Sequence, residues 1–280
     1  MTSLPIGVFD SGVGGLTVLR ALREQMPGER FLYLGDTARL PYGTKSEATI
    51  TRYALQAAQL LVARGVKCLV IACNTASAIA LDRLGEKFAP LAVFGVIEPG
   101  ADAGCRESPT GRIAVIGTES TVQGGAYQRA IKRRRPQAEV TAKPCPLFVA
   151  LAEEGLIEGS IVEEVARHYL RGMFGGQSTT APDTLVLGCT HFPVLTPTLR
   201  RVLGESIKIV DSARTTAEAV EIALRRGQLL NSSSEWHGTQ LLATDSPARF
   251  ARVGSLFLGQ AIEAPDVELV DLSLSAASAR

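Results

Sequence analysis

The amino-acid sequence predicts an α/β protein of two lobes with mainly parallel sheets, related by a pseudo-twofold axis. Three observations lead there. Short runs of Val, Ile and Leu without polar alternation recur between longer amphipathic segments, the pattern of strands that helices cover on both faces. This pattern restarts near residue 111. The two parts then align faintly: LVIACNT (69–75) falls on LVLGCTH (185–191), and IGVFDS (6–11) on IAVIGT (113–118), which sets Cys73 over Cys189.

Taken in order, IGVFD (6–10) reads as a buried strand and GLTVLRALREQM (15–26) as a helix. FLYLGD (31–36) is a strand, SEATITRYALQAAQLLVARG (46–65) a helix ending at Gly65, and CLVIACN (68–74) a strand. After the restart come a strand at 111–118, a helix at 123–135, a strand within 138–146, a helix at 157–175 and the strand 183–191, which runs into a turn. The remainder reads as a helix at 215–230, a Ser-rich joint (231–235), a strand at 238–244, a helix at 247–259, a strand at 267–272 and a frayed end, 273–280. This last part is expected to pack on the first lobe. The lobes are then residues 1–97 with 211–280, and residues 98–210. Ligands of such sheets bind outside the carboxyl ends of the strands, where Asp10, Cys73, Thr118 and Cys189 all fall. One shared site in the cleft between the lobes follows.

Bulk composition narrows the function. With 46% hydrophobic and 20% charged residues the chain is globular. Lys and Arg number 29 against 28 Asp and Glu, so no long-range field favours nucleic acid or an anionic membrane as partner. The start lacks a basic region followed by an apolar one, and no apolar run would span a bilayer, so a cytoplasmic protein is expected. Five cysteines, an odd number with no CxxC spacing, argue against both a disulfide framework and a structural zinc site; no metal is expected.

Cys73 and Cys189 carry the chemistry. A lone cysteine at a strand end is more often a small core residue. Two at equivalent positions of a repeat, followed by Asn74-Thr75 and Thr190-His191, are a different matter: polar turns that open helices stabilise thiolates and bound carboxylates. Cys68, Cys105 and Cys145 lack this setting and read as structural. Asp10-Ser11 sits in VFDSGVGGLTVL, a tight turn feeding a helix; its glycines, at 12, 14 and 15, are not in dinucleotide-binding order. Asp10 alone could be a plain helix cap. Pro41-Tyr42-Gly43 is a turn, either an ordinary loop or backbone and hydroxyl groups at the mouth of a site. Of Glu153 and Glu154, one belongs to a solvated helix face. His168 and His237 read as surface residues, and Lys132 to Arg135 as a solvated helix end.

Together FDSGVGGLTVL, GDTAR-x-PYG (35–43), ACNTAS (72–77), GT-x-x-TV (117–122) and GCTHFP (188–193) resemble the glutamate racemase family, over roughly residues 6–229. Pro144 and Ala150 depart from the residues usual there. The resemblance implies two α/β lobes around one active site and interconversion of L- and D-glutamate for peptidoglycan synthesis, without pyridoxal phosphate or any other cofactor. It implies Cys73 and Cys189 as opposed acid and base, Asp10 assisting the first, and Glu153 and His191 the second. Substrate contacts carried over are Asp10, Ser11, Tyr42, Gly43, Asn74, Thr75, Thr190 and His191, with Thr118 and Thr121 joining them. Family members are often dimers, so a homodimer is the assembly it suggests.

Three other readings compete. Paired cysteines equally fit a racemase for aspartate or another amino acid. A cysteine hydrolase would use Cys189 and His191, but side chains two residues apart diverge in regular structure, and Cys73 is left idle. A two-lobed amino-acid-binding protein would need neither thiol.

Overall fold

The computed structural model describes residues 2–175, 181–231, 233 and 238–272. The frayed end expected at 273–280, His237 and most of the Ser-rich joint lie outside the described residues.

In chain order the first lobe contains β1 (Ile6–Asp10), α1 (Leu16–Gln25), β2 (Phe31–Gly35), α2 (Glu47–Ala63), β3 (Cys68–Ile71), α3 (Asn74–Phe88) and β4 (Ala92–Gly95). Helix α4 (Ile97–Glu107) leads into β5 (Arg112–Gly117), α5 (Glu119–Gln123), α6 (Ala126–Arg134), β6 (Glu139–Pro144), α7 (Pro146–Glu153), α8 (Ser160–Phe174), β7 (Thr184–Gly188), α9 (Thr196–Leu203) and β8 (Lys208–Asp211). The chain then returns through α10 (Ser212–Arg226), β9 (Thr239–Ala243), α11 (Pro247–Leu258) and β10 (Val267–Leu269).

The strands form two sheets, ordered β10-β9-β2-β1-β3-β4 and β6-β5-β7-β8, with every pairing parallel. Numbered from its own first strand, each lobe has the order second, first, third, fourth. The faint sequence repeat is therefore a repeat of topology. Strands β9 and β10 extend the first sheet beyond β2, so the C-terminal segment packs with the first lobe.

Parallel strands need helical crossovers, which leave both faces of each sheet covered. Successive side chains of β1 accordingly enter opposite cores. Ile6 and Val8 join α1, α10 and α11, while Phe9 joins α2 and α3. In the second sheet Ile113 and Val115 pack toward α4 and α6, and Ala114 and Ile116 toward α8 and α9. Helix α10 packs on α1 of one lobe and α4 of the other, tying the two together. Among the described residues no helix is long and apolar enough to cross a membrane.

The structure departs from the sequence expectation at a few elements. Strands β4 and β8 were not foreseen; both are short sheet-edge strands, partly exposed, and lack the fully buried apolar run that marks β1, β2 and β7. The helix expected over 123–135 starts later, at Ala126, because the Gly124-Gly125 pair separates it from the short α5, Gly125 sitting at φ +64°. Helix α10 starts at Ser212 rather than 215, since Asp211 caps it by accepting from the Ala213 N–H at 2.8 Å.

Candidate active site

The carboxyl ends of β1, β3, β5 and β7 deliver Asp10, Cys73, Thr118 and Cys189 to the junction of the lobes. Asp10 is fully buried and accepts from the Gly12 N–H at 2.9 Å, which folds the Ser11–Gly15 turn back over the strand end. The turn lies against the other lobe. A Cβ on Gly14 would sit 2.4 Å from His191 Nδ1 and 2.6 Å from Thr190 Oγ1, so only glycine permits this approach. Thr17 Oγ1 donates to the Thr190 carbonyl at 3.0 Å, and Thr190 Oγ1 to Asp10 at 3.5 Å.

Cys73 caps α3: its sulfur accepts from the Ala76 N–H at 3.5 Å and its S–H points to Ser11 Oγ at 3.4 Å. Burial, and then the neighbouring Asp10 carboxylate, push the Cys73 thiol up to about 12, against the help of the helix N-terminus. Cys189, at the equivalent strand end of the other sheet, adds a smaller push in the same direction. Burial also raises Asp10, which His191 partly offsets.

Cys189 is set differently. Sequence reasoning expects its turn to open a helix, as at Cys73. Pro193 and Pro197 interrupt the chain instead, so a short 3-10 turn, Phe192–Leu195, precedes α9. The sulfur lies 3.8 Å from His191 Nδ1. His191 Nε2 lies 3.1 Å from Glu153 Oε1, and Glu153 Oε2 accepts from Arg249 at 2.8 Å. Burial opposes a charge on His191, but its hydrogen bonds to Cys189 and Glu153 outweigh it and hold the imidazole up at about 10. Burial is likewise outweighed at Glu153, which His191 and Arg249 keep below the usual carboxylate range. Glu154 is exposed, so Glu153 is the member of that pair at the site.

The remaining candidates form a second cluster. Thr75, Thr118 and Thr121 share a triangle of hydroxyls with edges of 2.9, 3.0 and 3.3 Å. Gly43 packs onto Thr118, and its carbonyl accepts from Ser120 Oγ at 2.8 Å. Asn74 Oδ1 accepts from the Tyr127 hydroxyl at 2.7 Å, while its Nδ2 is buried with no partner. An orphaned buried donor is costly and marks a place for a ligand acceptor. The Tyr42 hydroxyl turns away from this cluster and donates to Asp36, so its loop meets the second lobe through Gly43.

Sequence reasoning missed Tyr127, Arg249 and Phe257, whose ring meets His191 edge-on at 5.2 Å. Tyr127 occupies the apolar face of α6 and reads as core; nothing in the sequence ties Arg249 to residues a hundred positions earlier. The three other cysteines are free as well, and Cys105 and Cys145 donate to backbone carbonyls, those of Ile131 and Lys143. Burial raises Cys68 and Cys145 to about 12. His168 is exposed. The basic run does more than end a helix: Arg133 and Arg134 both bond Glu98 of α4. Among the described residues no group of three or more His, Cys, Asp or Glu could hold a metal ion.

The model of the family described as Asp/Glu/Hydantoin racemase matches residues 6–220. The chain belongs to this family. It is a racemase, hence an isomerase. It is 50% identical to the glutamate racemase of Geobacter metallireducens over 254 residues, 91% of this chain and 92% of that one. A crystal structure of the Francisella tularensis glutamate racemase in complex with D-glutamate superposes with a TM-score of 0.89 at 37% identity, covering 98% of the racemase and 100% of that chain. The Thermus thermophilus glutamate racemase, solved with β-chloro-D-alanine, gives 0.84 at 44% identity, over 97% and 98% of the two chains. Both are two-lobed α/β structures of the kind found here.

Proposed function

We propose that this racemase interconverts L- and D-glutamate by two-base proton transfer at the α-carbon between Cys73 and Cys189, without a cofactor. We propose further that it works in the cytoplasm, as a homodimer, and supplies D-glutamate for peptidoglycan synthesis. We read its lobes as residues 1–97 with 211–280, and 98–210. The observation that carries the mechanism is the pair of thiols at equivalent strand ends of a topological repeat, one beside Ser11 and Asp10 and the other beside His191. A relative named glutamate racemase, 50% identical over 91% of this chain, supports glutamate as substrate. Five free cysteines fit a reducing compartment.

Racemisation removes a proton from a weakly acidic carbon and returns one on the opposite face, so two bases on opposite sides do it without turning the substrate over. In one direction the Cys189 thiolate, beside the charged imidazole of His191, takes the α-proton while the Cys73 thiol gives its own to the other face. In the reverse direction Cys73 must be the thiolate, which its burial and Asp10 disfavour; the substrate ammonium supplies the positive charge that half lacks. Asn74 Nδ2 and the hydroxyls of Thr75, Thr118, Thr121 and Thr190 are the donors for the substrate carboxylates and for the charge that develops as the proton leaves. Asp10, Ser11 and the Tyr42-Gly43 loop complete the contacts. Cys73 and Cys189 are 5% and 4% exposed, so the lobes must part to admit glutamate and close to exclude water.

The test is incubation with L-glutamate in deuterated water with nothing added, followed by circular dichroism and α-proton exchange. Loss of optical activity with deuterium at the α-carbon is expected. Neither change, from folded protein, overturns glutamate as the substrate.

A further inference from the structure

The segment after residue 220 lies outside the region matched to the family, yet it reaches the acid/base machinery. Helix α11 rests on α1 of the first lobe and sends two side chains toward the groups beside Cys189. Phe257 sets its ring edge-on to the His191 imidazole at 5.2 Å. Arg249, in the first turn of the helix, holds Glu153 Oε2 at 2.8 Å. Glu153 belongs to α7 of the second lobe, so this ion pair spans the lobe junction. The carboxylate is divided between two partners, one oxygen for Arg249 and the other, at 3.1 Å, for His191 Nε2.

We propose that Arg249 is a positioning residue for the Cys189 half of the reaction: it fixes the Glu153 carboxylate so that Oε1 stays on His191, and it does so only while the lobes are closed. A carboxylate with one oxygen tethered loses its freedom to rotate away from the imidazole. The Arg249 side chain is 47% exposed, against 14% for Glu153, and an ion pair whose cation is this open to solvent adds little to stability. Its effect therefore belongs in turnover rather than in folding. Opening the lobes to admit substrate separates α11 from α7, so the tether forms with closure and ties the readiness of His191 to the sealed state.

The proposal rests on the reading of His191 and Cys189 as one half of the proton relay, and the experiment separates the two. Arg249→Ala, Arg249→Lys and Arg252→Ala, an exposed neighbour on the same helix, are compared in glutamate racemisation and thermal melting, with His191→Asn alongside. Arg249→Ala is expected to lower kcat about fivefold, the scale of one partly exposed ion pair, with KM within about twofold and an unchanged melting temperature. Arg249→Lys should restore most of the loss and Arg252→Ala should match the parent. Placed in a Glu153→Gln background, Arg249→Ala should cost nothing further, because its effect passes through that carboxylate. Parent-like kcat in Arg249→Ala, an equal loss in Arg252→Ala, or the same loss in the Glu153→Gln background would overturn the proposal. If His191→Asn turned over like the parent, the relay reading itself would fall; inactive His191→Asn with intact Arg249→Ala would sink the positioning role alone.

Discussion

Cys73 and Cys189 occupy the same place in two copies of one topology, and their surroundings are electrically opposite. Cys73 caps a long helix, but burial and then the buried acid Asp10 hold its proton tightly, up to about 12, against the opposing pull of the Ser11 hydroxyl. Cys189 has only a short 3-10 turn after it, but it faces an imidazole held charged by a carboxylate, itself held by a guanidinium. In the alignment of the halves, Asp10 falls on Gly117 and Thr75 on His191. The repeated residues thus supply geometry, two strand ends aimed at one junction. The unrepeated ones set where the protons rest.

The sharpest way to break this comparison is to remove one sulfur at a time. Cys73→Ser and Cys189→Ser should each lower racemisation about 10²–10⁴-fold. Enantiomers are equal in free energy, so neither variant can lose kcat/KM in one direction only. The asymmetry belongs in α-proton exchange: the remaining thiol can still take and return a proton on its own face. Each variant should therefore exchange deuterium into one enantiomer only, the opposite one for the other variant. Exchange of both enantiomers by both variants would end the two-base account.

Two adjacent glycines sharpen the comparison at smaller effect, because each touches one half. A Cβ on Gly14 meets His191 Nδ1, the nitrogen that faces Cys189, whereas a Cβ on Gly15 meets Asp10 Cβ at 2.4 Å. Gly14→Ala should displace the imidazole and Gly15→Ala the carboxylate, each destabilising the fold by about 1–3 kcal/mol. Deuterium exchange should then fall mainly for one enantiomer in Gly14→Ala and for the other in Gly15→Ala. Equal losses for both enantiomers in both variants would show that the turn acts on the site as a whole.

Much of this was legible in the sequence because it follows from backbone pattern. Buried runs such as IGVFD and TLVLG have no alternative to a central parallel strand, and their last residues must lie at the carboxyl edge of the sheet. The matching positions of Cys73 and Cys189 follow from that alone. What the pattern could not carry was pairing across long separations. AVFG and KIVD are edge strands whose partial exposure leaves no periodic mark. Tyr127 looks like any core aromatic on α6, and its hydroxyl partner, Asn74, lies on the other lobe. Arg249 is one of many arginines on helices, and only the fold brings it to Glu153.

The smallest effect tests whether the halves are separable at all. Asn74 follows Cys73, but its amide is oriented by Tyr127 from the second lobe, which accounts for Oδ1 and leaves Nδ2 free for a ligand. Tyr127→Phe removes one hydroxyl from a fully buried ring without altering its packing. Losing that hydrogen bond costs about 0.5–1.5 kcal/mol, so KM for glutamate should rise about two- to tenfold while kcat changes less. Such a result assigns Asn74 to holding substrate across the lobe junction. A fall in kcat with KM unchanged would instead place Asn74 with the charge that develops during proton transfer, and would make the lobe contact part of the Cys73 half.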